Sequence, residues 1–193
     1  MSADSILTDP LLKQKPEEKE SLPTATRTIR LEGDLDRSLE EIANQESLSV
    51  SIIINKALLR YMDWEYRAEK FGFMTMSTSL MRKLFEQLNE DKARSFGKEA
   101  GAQFLAEFTN FWFKTLDIDS LLRALEFLGD RYAKQFHFDH SSDGKVHTII
   151  IKHDRGSTTS AYYSEALKAL FNHMSLEVTV VESDQQVTIT IRS

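Results

Sequence analysis

Residues 26–31 alternate in character, with Thr26, Thr28 and Arg30 on one side and Arg27, Ile29 and Leu31 on the other. A period of two marks a half-buried strand, because successive side chains point to opposite faces. A strand needs a neighbour for its amides and carbonyls, yet the sequence that follows is helical in pattern. Gly33-Asp34 breaks the run, and Asp34 or Asp36 is placed to cap a helix in which Leu35, Leu39, Ile42 and Ala43 recur at helical spacing. That helix is expected to end near Glu46-Ser47. Ser49 then caps a longer helix, whose Ile52, Ile53, Ala57, Leu58, Tyr61, Met62 and Trp64 give an unusually wide apolar face. A lone strand and so much apolar surface on a short module both call for a partner.

Composition restricts what that partner can be. The chain has 193 residues and 41% hydrophobic content, enough for one large domain or two small ones with a core. It has no cysteine, which excludes disulfides and thiolate metal sites and agrees with a reducing compartment. Apolar runs such as Ile52-Ile53-Ile54 are far too short to cross a bilayer, and the first residues lack the pattern of a signal peptide. The expectation is a soluble cytoplasmic protein without a membrane partner. The net charge of −6 gives no general attraction to a phosphate backbone, so any nucleic-acid surface has to be local.

All three prolines, Pro10, Pro16 and Pro23, fall in residues 1–23, beside the mixed-charge run from Lys13 to Glu20. Few large apolar residues accompany them, and a flexible arm is expected there. Everything after Thr24 is free of proline and open to regular structure. Near residue 73 the stretch "FGFMTMSTS" holds Gly72 and small polar residues that mark a joint. Phe71, Phe73, Met74 and Met76 make this joint greasy for a free linker, so it is expected to pack against one of its neighbours. The expected organisation is an arm over 1–23, a small module over 24–72 and a larger domain over 73–193.

The stretch "TRTIRLEGDLDRSLEEIANQESLSVSIIINKALLRYM", about a fifth of the chain, resembles the ribbon-helix-helix family of DNA-binding proteins, the Arc and MetJ type. In that family two copies intertwine and their single strands pair into an antiparallel ribbon that enters the major groove. The resemblance therefore implies that the strand's partner is its own copy in a homodimer bound to double-stranded DNA. It places Thr26, Thr28 and Arg30 toward base edges, where threonine bonds several bases and arginine suits the paired acceptors of guanine. Arg27 adds positive charge. Ser49, Val50 and Ser51 fall at the start of the second helix, where the family holds a phosphate on free backbone amides. Ile29, Leu31, Leu39, Ile42, Leu48 and Ile53 become dimer core. Two features depart from the pattern. Ser47 stands where a glycine is common, and residues 1–71 hold ten Lys or Arg against fourteen Asp or Glu, a net of −4.

Beyond the joint, helical periods run over Leu80–Phe96, Lys98–Leu116 and Ile118–Phe136, with Asp117 or Asp119 capping the third. The cluster "FLAEFTNFWF" reads as helix–helix core ahead of an apolar ligand pocket. Gln135–His140 and Lys145–Asp154 flank the turn sequence "SSDG", Ser160–Met174 is an amphipathic helix, and "LEVTVVE" and "VTITIRS" flank "SDQQ". A four-stranded antiparallel sheet with helices on one face follows, making the chain α+β.

All five histidines lie in this half. His147 and His153 share a strand face and His140 is placed opposite His147 across the hairpin, so these three are the candidates for a metal, although their spacing matches no known site. No phosphate loop, H-E-x-x-H or G-x-S-x-G motif is present, and neither enzyme activity nor a cofactor is expected. Ser157 to Ser160 precede a helix and read as caps rather than an anion cradle. The expectation is a homodimeric transcription regulator whose C-terminal domain senses a small-molecule or protein effector or extends the dimer. The alternatives are an interaction module whose head is only a dimer clamp, and an antitoxin, against which the large folded C-terminal half counts.

Overall fold

The computed structural model describes residues 25–192, so the expected arm over 1–23 lies outside them. The chain divides into two compact units, the first ending at Ser47 and the second beginning at Leu48.

In the first unit, residues 25–32 form no regular element and Ala25 to Arg30 are exposed. Helix α1 runs Gly33–Glu46. The aspartates do not cap it. The cap position is Glu32, which makes no side-chain cap bond, while Asp34 and Asp36 lie in the first turn, where negative charge complements the helix dipole. Asp34 pairs there with Arg37. Ser47 ends the helix in the left-handed region, at φ 55° and ψ 39°, with its N–H bonded to Ala43 and Asn44 carbonyls. Serine thus adopts the conformation for which glycine is the commoner residue.

The second unit opens with α2, Val50–Arg60, whose first turn is capped as expected by Ser49, its Oγ accepting from Ile52 N at 3.3 Å. The helix continues through a π-helical turn, Tyr61–Glu65, into α3, Tyr66–Phe71, and stops at Gly72 with φ 90°. Here the joint behaves as its greasiness predicts: Phe71 and Phe73 pack against the core, although Met74 is 78% exposed.

Three further helical stretches follow with different boundaries from those expected. Asn89 interrupts the first period by accepting from Lys92 N at 2.9 Å, so α4 (Thr78–Glu86) and α5 (Glu90–Ala100) are separate helices. From α5 the chain passes through a second π-helical turn, Gly101–Leu105, into α6, Ala106–Phe113, and Lys114 closes it at φ 62°. Helix α7, Ile118–Glu126, starts at a capping box between Asp117 and Ser120, settling the choice of cap in favour of Asp117. A third π-helical turn, Phe127–Arg131, contains Gly129 with ψ −117°, which ends the helix well before Phe136.

The remainder is as the alternation requires. Strands β1 (His137–Ser142) and β2 (Val146–Lys152) form one hairpin, β3 (Val178–Ser183) and β4 (Gln186–Arg192) another, and α8 (Ser157–His173) connects them. The sheet is antiparallel throughout, in the order β1-β2-β4-β3. Pairing Ile149 with Ile189 and Ile151 with Val187 puts every second residue of the central strands on one face, and all four are fully buried. That face meets Leu167, Leu170 and Phe171 of α8 within a core that also holds Phe108, Trp112, Leu121 and Leu125. The aromatic cluster of α6 is therefore packing: Phe108 and Trp112 are buried among Trp64, Phe71 and Phe73.

Helix α5 and the π-helical turn that continues it touch α8 backbone to backbone. A Cβ at Gly97 would meet Tyr162 O at 2.2 Å and one at Gly101 would meet Ala166 O at 1.9 Å. Both pairs are four residues apart along their helices, so one glycine stripe faces one carbonyl stripe. Replacing Gly101 by Ala would gain up to about 1 kcal/mol of helix propensity in isolation. The clash reverses the sign: Gly101→Ala is expected to lower stability by about 1–3 kcal/mol in urea denaturation followed by circular dichroism. Equal or higher stability would mean that the two helices do not approach this closely.

Candidate functional site

The residues expected to contact DNA fall into both units, and each set stands by itself. Thr26, Arg27, Thr28 and Arg30 of the first unit are all exposed, as is the apolar Ile29 at 57%. In the second unit Ser49 uses its side chain as the cap of α2, and the amides of Val50 and Ser51, the first of the helix, donate to no acceptor among the described residues. Free amides at a helix start suit an anion by geometry and dipole.

Helix α2 is the anomaly of this region. Its sequence is VSIIINKALLR, yet none of its residues is buried. Ile52, Leu58, Leu59, Tyr61 and Met62 are between 44% and 61% exposed. A helix with that composition ordinarily buries a stripe against a neighbour.

Just beyond α2, the same helical run is locked in place. Trp64 is 5% exposed and stacks on Tyr132 with ring centroids 5.7 Å apart and 18° between planes. Asp63 accepts from Trp112 Nε1 through its carbonyl at 3.0 Å and from Tyr132 Oη through Oδ2 at 2.8 Å. Burial, then this bond to Asp63, raises the Tyr132 phenol above its ordinary range and keeps it a donor.

Beside this anchor lies a cleft of about 540 Å³ within the second unit. The helical run lines it with Arg60, Tyr61, Trp64, Glu65, Ala68 and Glu69, and Phe73, Met76, Met81, Lys134, Gln135 and Arg155 are also part of the lining. Arg155 is 7% exposed. Its Nη2 donates to Gln135 O and, at 2.8 Å, to Tyr163 Oη, while its Nε is buried without a partner. No carboxylate forms an ion pair with it among the described residues; the adjacent Asp154 is taken by Arg82. Burial raises the Tyr163 phenol above its usual range, so it is a neutral acceptor and no counter-ion. Nothing in the periodicity of the sequence marks Arg155, which follows the end of β2 and gains its surroundings only when 135 and 163 are brought to it.

The histidines do not assemble as their strand positions imply. His140 pairs in register with Ile149 and meets His147 diagonally, Nε2 to Nδ1 at 3.0 Å with stacked rings. Burial first, then His147, lowers the His140 imidazole below its ordinary value. His153 lies past the end of β2 and turns to Ser160 Oγ at 3.1 Å instead. Among the described residues no three His, Cys, Asp or Glu side chains are placed to hold a metal ion. Ser157 to Ser160 start α8, but its cap is Gly156, without a side-chain bond; Thr159 donates to Arg155 O at 3.1 Å.

No family model and no curated protein matches the chain. Among solved structures, one described as "Structural insights into the molecular mechanism of H-NOX activation" aligns with 12% identity and a TM-score of 0.42, over 71% of this chain and 91% of that one. An H-NOX protein with two substitutions aligns at 11% identity and a TM-score of 0.39, over 72% and 92%. A likeness of this extent carries no argument about what the chain binds. No helix among the described residues is long and apolar enough to cross a membrane.

His153 supplies a pH test of the corner around Arg155. Burial, with Arg155 adding to it, lowers its imidazole from 6.5 to about 4. The unfolded chain takes up this proton as pH falls through 6.5, whereas the folded chain resists until about pH 4. The contribution to stability is therefore full above pH 6.5 and is lost on acidification to 4. At 1.36 kcal/mol per pH unit the loss is about 3 kcal/mol. His153→Gln is expected to remove that part of the acid slope in urea denaturation between pH 7 and 4, and an unchanged slope would assign it to other groups.

Proposed function

We propose that the chain is a homodimeric, sequence-specific DNA-binding regulator, with a ribbon-helix-helix head and a C-terminal α+β domain that senses an effector. The supporting observation is α2, the apolar helix with no buried residue. Burying a large aliphatic side chain contributes about 1.5–3 kcal/mol, and an exposed stripe of several such residues is unusual on a monomer. In the ribbon-helix-helix arrangement the second helix is covered by the other copy, and the strand finds its partner there too. Residues 25–32 without regular structure in a single chain agree with a strand that forms only when two chains meet.

On this reading Thr26, Thr28 and Arg30 read base edges, with Arg27 and the amides of Ser49, Val50 and Ser51 on phosphates. The head carries more acidic than basic residues, which favours one rival, a head that dimerises without binding DNA.

Leu59, 61% exposed in the single chain, tests the dimer. Leu59→Asp is expected to halve the mass seen by sedimentation equilibrium while leaving far-UV circular dichroism unchanged; a wild type that is monomeric at tens of micromolar would sink the reading. For DNA, selection from a random duplex pool at two salt concentrations is expected to enrich a palindrome. Arg30→Ala should then cost about 1–3 kcal/mol on that site and relax preference at the contacted base. A dimer with no enrichment even at low salt would leave the clamp.

A further inference from the structure

Arg155 is a buried cation with an unpartnered Nε, and it lines a cleft of mixed apolar and charged surface. The other basic residues of the cleft are occupied. Arg60 Nε pairs with Glu65 Oε1 at 2.8 Å, and Lys134 Nζ donates to the Asp130 carbonyl. The two acceptors that Arg155 has, Gln135 O and Tyr163 Oη, are neutral. Desolvating a guanidinium without a counter-charge is costly, and folded proteins rarely leave one so. A bound anion is the means by which such a charge is balanced.

The lining decides what kind of anion. Trp64, Ala68, Phe73, Met76 and Met81 present aromatic, methyl and thioether surface, which gains by covering an apolar body, beside the carboxylates of Glu65 and Glu69. A phosphate dianion ordinarily gathers several cations or backbone amides. Arg60, Lys134 and Arg155 against Glu65 and Glu69 leave the lining one net positive charge, which suits a singly charged, planar carboxylate on an apolar body. The volume, about 540 Å³, is in the range of small-molecule sites.

We propose that this cleft binds the carboxylate of a small amphipathic acid, with Arg155 as its anchor and the Trp64–Met81 surface around its apolar part. Such a ligand lies directly against the helical run that begins as α2. Its effect on DNA affinity rests on the function proposed above; its binding does not, and is measured with DNA absent.

The probes are decanoate and 2-naphthoate, each beside its neutral primary amide, in isothermal titration calorimetry with the full chain. At least one acid is expected to bind tenfold or more tightly than its amide. Arg155→Met should reduce that preference to within twofold while the amide binds as before. Should Arg155→Met fail to fold, Met76→Asp adds a negative charge to the lining and is expected to weaken the acid at least tenfold more than the amide. Acids bound no more tightly than their amides by the wild type overturn the proposal, as does an acid preference that survives in both variants. Loss of DNA selection with acid binding intact would remove the regulatory role and leave the site.

Discussion

Asp63 ties two buried groups of the C-terminal core, and the exposed Arg131, to one helical turn. Its carbonyl receives the Trp112 indole, its carboxylate receives the Tyr132 phenol, and Arg131 Nη2 stands 3.5 Å from the same Oδ2. A partly buried bond to a carboxylate, such as that from Tyr132, is the stronger kind, and it joins the Trp112 bond where the i→i+4 ladder already gives way to a π-helical turn. The consequence is positional. Trp64, next along the chain, is held in the core against Tyr132, Trp112 and Phe73. Every feature that borders this turn, including the cleft wall from Arg60 to Ala68, inherits its position from it.

The sheet and α8 provide the surface to which this turn is fixed. Antiparallel pairing aligns Ile149, Ile151, Val187, Ile189 and Ile191 on one face, all fully buried, and α8 covers that face with Leu167, Leu170 and Phe171. The other side of α8 then has to meet α5 closely, and glycine at 97 and 101 is what permits backbone contact. Large side chains fill one interface and their absence makes the other, which is how two layers of packing fit around one helix.

The sheet was readable in the sequence because its signals are local. Alternation in "VTITIRS" and turn residues in "SSDG" depend on neighbours within a few positions. The N-terminal helix pair was readable for the same reason, down to Ser49 as the cap of α2. The helix ends at 86–90 were not, since Asn89 sits inside an apolar period and only its side-chain bond to Lys92 shows that it starts a new helix. Nor was Arg155. Its partners Gln135 and Tyr163 are 20 and 8 residues away, and a lone arginine between a strand and a glycine has no pattern to announce it. His153 is instructive in the other direction. Strand periodicity put it on the His147 face, but β2 ends at Lys152, and one residue past a strand the alternation no longer governs direction.

The run from Val50 to Phe71 carries apolar residues on two sides. At about 100° per residue, Trp64 and Ala68 project almost opposite to the stripe of Ile52, Leu58, Leu59 and Met62. The first pair is buried in the core and the second group is exposed. A helix that is apolar all round belongs inside a protein, with neighbours on every side. Here one side is covered by the chain itself. Extending the C-terminal domain does not relieve the other, because the pinned turn at Asp63 already fixes which face the domain receives. On the function proposed above, the uncovered stripe is matched from outside the described residues, by a surface that is itself apolar and helical in reach. A second copy brings an identical stripe, and twofold symmetry lets each helix cover the other with no new sequence required.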